Sequence, residues 1–236
     1  MIAAVIFPLS FAAVAPAQPS PRLLGETSRV RLGLLEVGAK ESRWTQAAAT
    51  LAAQIRERTS VEPADDVVRV RIADPHLFRT PLLVLSGSGA FAPPSAADQA
   101  RLRRHLAYGG LLLVDDSEAR PGGGFDASAR DLVRALFPAI EPAAVRPDHV
   151  LYKSFYLLDG AAGRVGAAPA LDSVEQDGRI VVLLSPNDLG GGVAAGDERS
   201  IRLAINVVLY ALCLDYKEDQ VHVPFILRRR RFGPEP

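Results

Sequence analysis

With 236 residues, of which 48% are hydrophobic, the chain is long enough to bury one sizeable core, and this length favours one domain with appendages over two. The 27 basic and 27 acidic residues give a net charge of zero, so the overall charge does not favour a nucleic-acid partner. The single cysteine, Cys213, excludes a disulfide within these residues and any metal motif built from several cysteines.

Residues 1–17 have the pattern of a secretory signal peptide. An apolar run from Ile2 to Ala15 leads into Ala15-Pro16-Ala17, an A-x-A cleavage pattern. The segment has no positive residues at its start, and at about 14 apolar residues it is short for a membrane span of roughly 20. Cleavage and retention as a membrane anchor are both open. Either predicts an exported protein, periplasmic or membrane-associated, in which proline-rich residues 18–27 form a linker.

Residues 28–216 are predicted to form one domain that begins with a strand, a helix and a second strand. The first strand is Val30–Val37. A helix over Trp44–Arg58 places Ala48, Leu51 and Ile55 on one face. Val67–Ile72 alternates apolar and polar residues, which predicts a strand with one wetter face near an edge of the sheet.

The centre of the chain is predicted to form a strand, a helix and a parallel strand. Leu82–Leu85 is a buried apolar strand followed by the glycine-rich turn Ser86–Gly89. Ser95 and Asp98 have the spacing of a capping box at a helix start. Leu111–Val114 is a second buried strand, so the unit is a right-handed βαβ crossover.

The remainder of the domain alternates helices and strands. We predict helices at Ser128–Phe137 and Arg199–Asp215, a strand at Arg179–Leu184, and an irregular aromatic stretch at Glu141–Asp159. The fold class is therefore α/β, a three-layer sandwich with a mostly parallel central sheet. In the tail, residues 217–236, four consecutive arginines (Arg228, Arg229, Arg230 and Arg231) form either a solvated terminus or a contact with an anionic membrane surface, worth roughly 1 kcal/mol per basic residue.

Three polar loops, Ser86–Gly89, Asp115–Ser117 and Asn187–Gly192, are predicted to meet at the carboxyl ends of the parallel strands, where α/β sheets bind ligands. The candidate ligand-binding residues are Ser86, Gly87, Ser88, Gly89, Ser117, Tyr152 and Asn187. The candidates for catalysis are Asp115, Asp116, His149 and Asp188. The three aspartates of this group are also candidate ligands of a divalent metal. Aspartates at strand ends also commonly cap turns, and no spacing here identifies a chemistry. No other cofactor is expected.

From about Ser28 to Tyr216, the chain resembles the bacterial family of domain of unknown function 4159, because it carries several motifs in the same order along the sequence. They are Pro81-Leu82-Leu83 with its glycine turn, Leu106-Ala107-Tyr108-Gly109-Gly110 before LLLVDD, Phe137-Pro138, Asp148-His149, and Ser185-Pro186-Asn187-Asp188-Leu189-Gly190. The resemblance implies a flavodoxin-like fold related to class I glutamine amidotransferases. In those enzymes the corresponding turns carry a nucleophilic cysteine and a His-x-Glu pair. Here they carry Asp115-Asp116 and Pro186-Asn187-Asp188, so glutaminase activity is not expected.

Three functions are compatible with the sequence. The first is a non-catalytic binding or scaffold domain of the cell envelope, with an envelope protein as partner. Related proteins are often encoded near MoxR-type ATPases and von Willebrand-like domains of the envelope, which is an association only. The alternative is a hydrolase in which a metal lowers the pKa of a bound water. The third is a structural protein of the envelope.

Overall fold

The computed structural model describes residues 30–40, 42–64 and 67–212, and the statements that follow concern these residues. The predicted signal peptide, the linker, Cys213 and the arginine-rich tail lie outside them. In the described part of the chain, no helix has the length and apolar character needed to cross a membrane.

A seven-stranded sheet forms the middle layer, in the order β2-β1-β3-β4-β7-β6-β5. The strands β2, β1, β3, β4 and β7 are parallel, and β6 and β5 are added antiparallel at one edge. The strands are β1 (Leu32–Leu35), β2 (Val68–Val70), β3 (Leu82–Gly87), β4 (Leu111–Asp116), β5 (Ala143–Ala144), β6 (Asp172–Gln176) and β7 (Arg179–Ser185).

Helices cover both faces of this sheet. The helices are α1 (Trp44–Arg58), α2 (Ala96–Ala107), α3 (Gly124–Leu136), α4 (Leu189–Ala194) and α5 (residues 198–212), with 3-10 helices at Pro75–Arg79 and Val150–Lys153. One apolar cluster joins α1, α4 and α5 to the sheet, and a second joins α2 and α3 to its opposite face. The structure therefore confirms the three-layer α/β sandwich and its mostly parallel sheet.

The central strands β3 and β4 are buried along their whole length, as their continuous apolar runs predict. They are parallel and joined through α2, which confirms the predicted βαβ unit. The helix start is also confirmed, because the hydroxyl of Ser95 accepts a hydrogen bond of 3.1 Å from the amide of Asp98.

Side-chain alternation in β4 decides where its two terminal carboxylates point. Leu111 and Leu113 pack in the cluster with α1, α4 and α5, whereas Leu112 and Val114 pack in the cluster with α2 and α3. Because successive residues of a strand face opposite sides of the sheet, Asp115 lies on the first face and Asp116 on the second.

Three local features differ from the sequence prediction. The glycine-rich segment after Asp188 forms the short helix α4 and not a loop. The helix predicted to start at Ser128 already begins at Gly124. A hairpin through Asp177 and Gly178, both with positive φ, pairs β7 with β6, a polar strand that the hydrophobic pattern does not reveal.

Candidate functional site

Asp115 is completely buried at the end of β4 and joins three elements. Its carboxylate accepts hydrogen bonds of 2.8 Å from the indole N–H of Trp44 and from the amides of Leu189 and Gly190. These donors belong to the first turns of α1 and α4. Burial raises the pKa of Asp115 to about 6, although the three N–H donors act in the opposite direction. The carboxylate therefore fastens two helices to the central strand.

Asp116 has a different role on the opposite face of the sheet. Its carboxylate accepts hydrogen bonds of 2.9 Å from the amide of Glu118 and 3.0 Å from the amide of Arg120. This is the turn-capping geometry typical of aspartate after a strand. Burial raises the pKa of Asp116, and the two amides oppose that effect. Asp115 and Asp116 thus do not form a pair of carboxylates acting on one substrate atom.

Asp188 caps α4 and binds two arginines. Asp188 is fully buried, and its backbone is left-handed, with φ of 54°. Its carboxylate accepts a hydrogen bond of 3.0 Å from the amide of Gly191. The same carboxylate contacts the guanidinium of Arg43, and its Oδ2 lies 2.5 Å from Nε of Arg164. The side chains of both arginines are 42% exposed. A buried anion is thereby neutralised by cations that reach the surface.

The loop that carries Arg164 is held against the segment before α4. The amide of Arg164 donates 3.0 Å to the carbonyl of Asp188, and the amide of Val165 donates 3.2 Å to that of Asn187. A Cβ atom at Gly163 would lie 2.0 Å from the carbonyl oxygen of Asn187, so this close approach requires glycine. The backbone therefore fixes the position of Arg164 next to Asp188.

His149 lies away from these carboxylates. Its Nδ1 accepts a hydrogen bond of 3.1 Å from the amide of Leu151, and its Nε2 lies 3.9 Å from Glu175. Glu175 pairs with Ile180 near the start of β7, whereas Asp188 follows the end of that strand. The structure thus does not bring His149 to the carboxyl edge. Burial lowers the pKa of the imidazole, ahead of the opposing effect of Glu175.

An open cleft of about 700 Å³ lies at the carboxyl edge of the sheet. Its lining residues carry hydroxyl, amide, guanidinium and carboxylate groups, and they are Ser42, Arg43, Thr45, Gln46, Ser88, Ser117, Glu118 and Arg164. Ser88 and Ser117 are the two predicted ligand-binding residues among them. Both follow the central strands β3 and β4, as expected for a ligand site in an open α/β sheet.

The other predicted ligand-binding residues serve the frame of the site. The hydroxyl of Ser86 lies 3.0 Å from that of Ser117, and the amide of Gly89 donates 3.0 Å to Glu118. Gly87 packs against the backbone of Lys40, where a Cβ would lie 2.6 Å from the carbonyl oxygen.

Two more of these residues are buried. The side chain of Asn187 bonds both the amide and the carbonyl of Ala168, at 2.8 and 2.7 Å. Tyr152 is 1% exposed in the core, and its hydroxyl accepts 3.4 Å from the amide of Leu171. Neither side chain lines the cleft.

The candidate metal ligands are dispersed in the same way. Across residues 30–40, 42–64 and 67–212, no three histidine, cysteine, aspartate or glutamate side chains come together in a geometry able to hold a metal ion. Each of Asp115, Asp116 and Asp188 instead accepts hydrogen bonds from backbone amides. Arg43 and Arg164, which the sequence did not single out, are two cationic residues that the fold brings together at the cleft.

The composition of the cleft decides what it can do chemically. Among the described residues that line it, none is a histidine or a cysteine, and Glu118 supplies the carboxylate. The two arginine side chains supply only hydrogen-bond donors, whereas the serine, threonine and glutamine side chains supply both donors and acceptors. The site is therefore suited to holding a hydrogen-bonding ligand.

One comparison with known families gives a match. The model of a domain of unknown function (DUF4159) matches residues 29–212, which is most of the chain. No curated protein matches the chain.

Proposed function

The chain belongs to the DUF4159 family of domains of unknown function, and we propose that it is a non-catalytic binding or scaffold domain of the bacterial cell envelope. We further propose that it uses a degenerate glutamine amidotransferase-like fold. The parallel order β2-β1-β3-β4 with helices on both faces is compatible with a flavodoxin-like ancestor. The cleft at the carboxyl edge is the proposed binding site.

The state of Asp115 is the observation that supports this proposal most. The resemblance to amidotransferases assigns the nucleophile to the end of β4, where this chain carries Asp115 and Asp116. The carboxylate of Asp115 is fully buried, and its partners are the indole of Trp44 and two amides of α4. A carboxylate held in this way has no access to substrate, so it stabilises the fold around the cleft and does not catalyse.

The second candidate, a metal-assisted hydrolase, needs Asp115, Asp116, His149 and Asp188 to converge. Asp115 and Asp116 lie on opposite faces of the sheet, and His149 lies near the start of β7. No observation therefore favours the hydrolase. Export to the periplasm or the membrane rests on the apolar run and A-x-A pattern of residues 1–17.

The proposal is tested by blocking the cleft. Thr45 and Gln46 are exposed on the first turn of α1 and line the cleft, whereas Ala49 is exposed on the same helix outside it. We expect an envelope partner captured by the wild type to be lost with Gln46→Trp and retained with Ala49→Trp. Equal capture by both variants would place the partner surface elsewhere.

A second assay tests the absence of catalysis. The purified protein is incubated with chromogenic esters, amides and phosphoesters, with and without divalent metals, and Asp116→Asn serves as the comparison. We expect no turnover above the uncatalysed rate. Turnover that disappears in Asp116→Asn would overturn the non-catalytic assignment.

A further inference from the structure

One wall of the cleft is cationic. Arg43 at the start of α1 and Arg164 in the loop before β6 approach it from different parts of the chain, and both contact the carboxylate of Asp188. Two guanidinium groups thus share one buried carboxylate, so these three side chains together carry one formal positive charge. That charge lies at the surface of the cleft, because both arginine side chains are partly exposed.

Most of the donor capacity of these arginines is unused within the described residues. A guanidinium carries five N–H donors. The hydrogen bonds found for Arg43 and Arg164 side chains in the described part of the chain go to Asp188 alone, one from each. The ion pairs also hold both side chains in place, so little conformational entropy is lost when a ligand binds them. The pair is therefore preorganised for an acceptor with several oxygens.

The start of α1 adds further donors to the same wall. The helix has 15 residues and no acidic residue in its first turn. Its N-terminus carries partial positive charge, and the side chains of Thr45 and Gln46 line the cleft beside it. These groups favour an anion at the position that the two arginines already favour.

Glu118 is the negative residue among the described residues that line the cleft. Its Oε1 accepts a hydrogen bond of 3.0 Å from the amide of Gly89, so the carboxylate is fixed on the side that follows β4. An anion bound at Arg43 and Arg164 is repelled by this charge.

We propose that the cleft binds an oxyanion, a carboxylate or a phosphate of a small ligand, between Arg43 and Arg164. The inference rests on the proposed binding function and names the chemistry of its ligand. Arginine suits this role because its planar fork matches the oxygens of carboxylate and phosphate groups. Glu118 then contributes selectivity against bare anions.

Inorganic phosphate and acetate are the probes, titrated into the full chain while backbone amide shifts are followed by NMR, with chloride at equal ionic strength as the reference. We expect saturable shifts at residues 42–46, 88 and 117. The probe that binds more tightly distinguishes a phosphate ligand from a carboxylate ligand. Shifts that do not saturate, or that chloride reproduces, overturn the inference.

Variants separate binding from folding. Arg43→Met and Arg164→Met each leave one arginine on Asp188, and we expect each to weaken binding of the better probe by about tenfold or more, as for loss of a charged hydrogen bond. Arg199→Met, which removes an exposed arginine paired with Asp159, is the control and should bind as the wild type does.

Glu118→Gln tests anion binding even if the arginine variants do not fold, because it leaves Asp188 and its two arginine partners intact. Removal of the repelling charge should tighten binding of the same probe severalfold. Unchanged or weaker binding contradicts the assignment. Loss of partner capture with Gln46→Trp, together with no anion binding, would retain the binding function and reject the oxyanion alone.

Discussion

The indole N–H of Trp44 donates a 2.8 Å hydrogen bond to Oδ2 of Asp115. Both residues are buried, and the bond links the first residue of α1 to the end of the central strand β4. Gly190 donates to the same oxygen atom. One carboxylate oxygen therefore holds two helices that border the candidate site.

Trp44→Phe tests the strength of this link. The variant keeps an aromatic ring, but it removes a donor to a buried carboxylate and leaves a cavity. We expect the free energy of unfolding to fall by about 2–4 kcal/mol. The measurement is urea unfolding followed by far-UV circular dichroism. Tyr152→Phe is the control, because it removes a hydroxyl with one long bond of 3.4 Å and should cost less.

Gly190→Ala tests the packing of α4 on the indole. A Cβ at this position would lie 2.7 Å from Nε1 and 2.8 Å from Cδ1 of Trp44, so the indole ring or the start of α4 must shift. We expect a loss of about 1–3 kcal/mol, typical of overpacking. Gly166→Ala meets no atom within 4 Å and should be nearly neutral. Equal stability of the two variants in urea would contradict the packing argument.

His105→Leu tests a pH dependence. Burial, with the positive charge of Arg179 as a smaller cause, lowers the pKa of His105 to about 4 from 6.5. The unfolded chain therefore takes up a proton first as the pH falls. The stability contributed by the neutral imidazole is complete above pH 6.5 and is lost progressively between pH 6.5 and pH 4.

The difference in free energy of unfolding between the wild type and His105→Leu isolates the contribution of His105. The raised pKa of Asp115 makes the free energy of unfolding rise on acidification over much of the same pH range, which opposes the effect of His105. The pH dependence of wild-type stability is therefore weaker than that of His105 alone. Urea unfolding at pH 7, 6 and 5 should show the stability of His105→Leu rising relative to wild type on acidification, by up to about 3 kcal/mol over the full window. A constant difference would show that His105 does not titrate with this shift.

Asn206→Ala tests how the aromatic stretch is held. The buried side-chain amide of Asn206 donates to the carbonyls of Leu151 and Tyr156, at 3.0 and 2.9 Å, and accepts 2.8 Å from the amide of Tyr156. We expect a loss of about 2–4 kcal/mol, because buried backbone groups lose their partners. Hydrogen exchange at the Tyr156 amide should accelerate. Ser154→Ala is the control, because it removes a hydroxyl on the exposed side of the same stretch. It should leave hydrogen exchange at the Tyr156 amide unchanged.

The sequence was sufficient to predict the centre of the fold. Continuous apolar runs in β3 and β4, with a capped helix between them, leave a buried parallel pair as the only arrangement that satisfies both faces. The strand β6 escaped prediction because Asp172–Gln176 is mostly polar and takes its pairing from β7. The helix α4 escaped because glycine disfavours helix, and Asp115 and Asp188 compensate by binding its first amides.

The sequence predicts the location of the candidate site but not the two arginines, Arg43 and Arg164, that line it. The parallel strands predict a ligand site at their carboxyl edge, and the predicted residues Ser88 and Ser117 line the cleft there. The aspartates looked functional because carboxylates after strands are typical of both turns and active sites, and only the hydrogen bonds distinguish the two. Arg43 and Asp188 are 145 residues apart, and no local pattern marks one arginine among many as the partner of a distant buried carboxylate.

The lengths of the edge strands also bear on self-association. Within the described residues the sheet ends on its two shortest strands, β2 with three residues and β5 with two. An edge of that length offers few unpaired N–H and C=O groups to the backbone of another molecule. Copies of the domain therefore gain little by adding to each other's sheets, and the long apolar strands that would template aggregation stay enclosed in the middle.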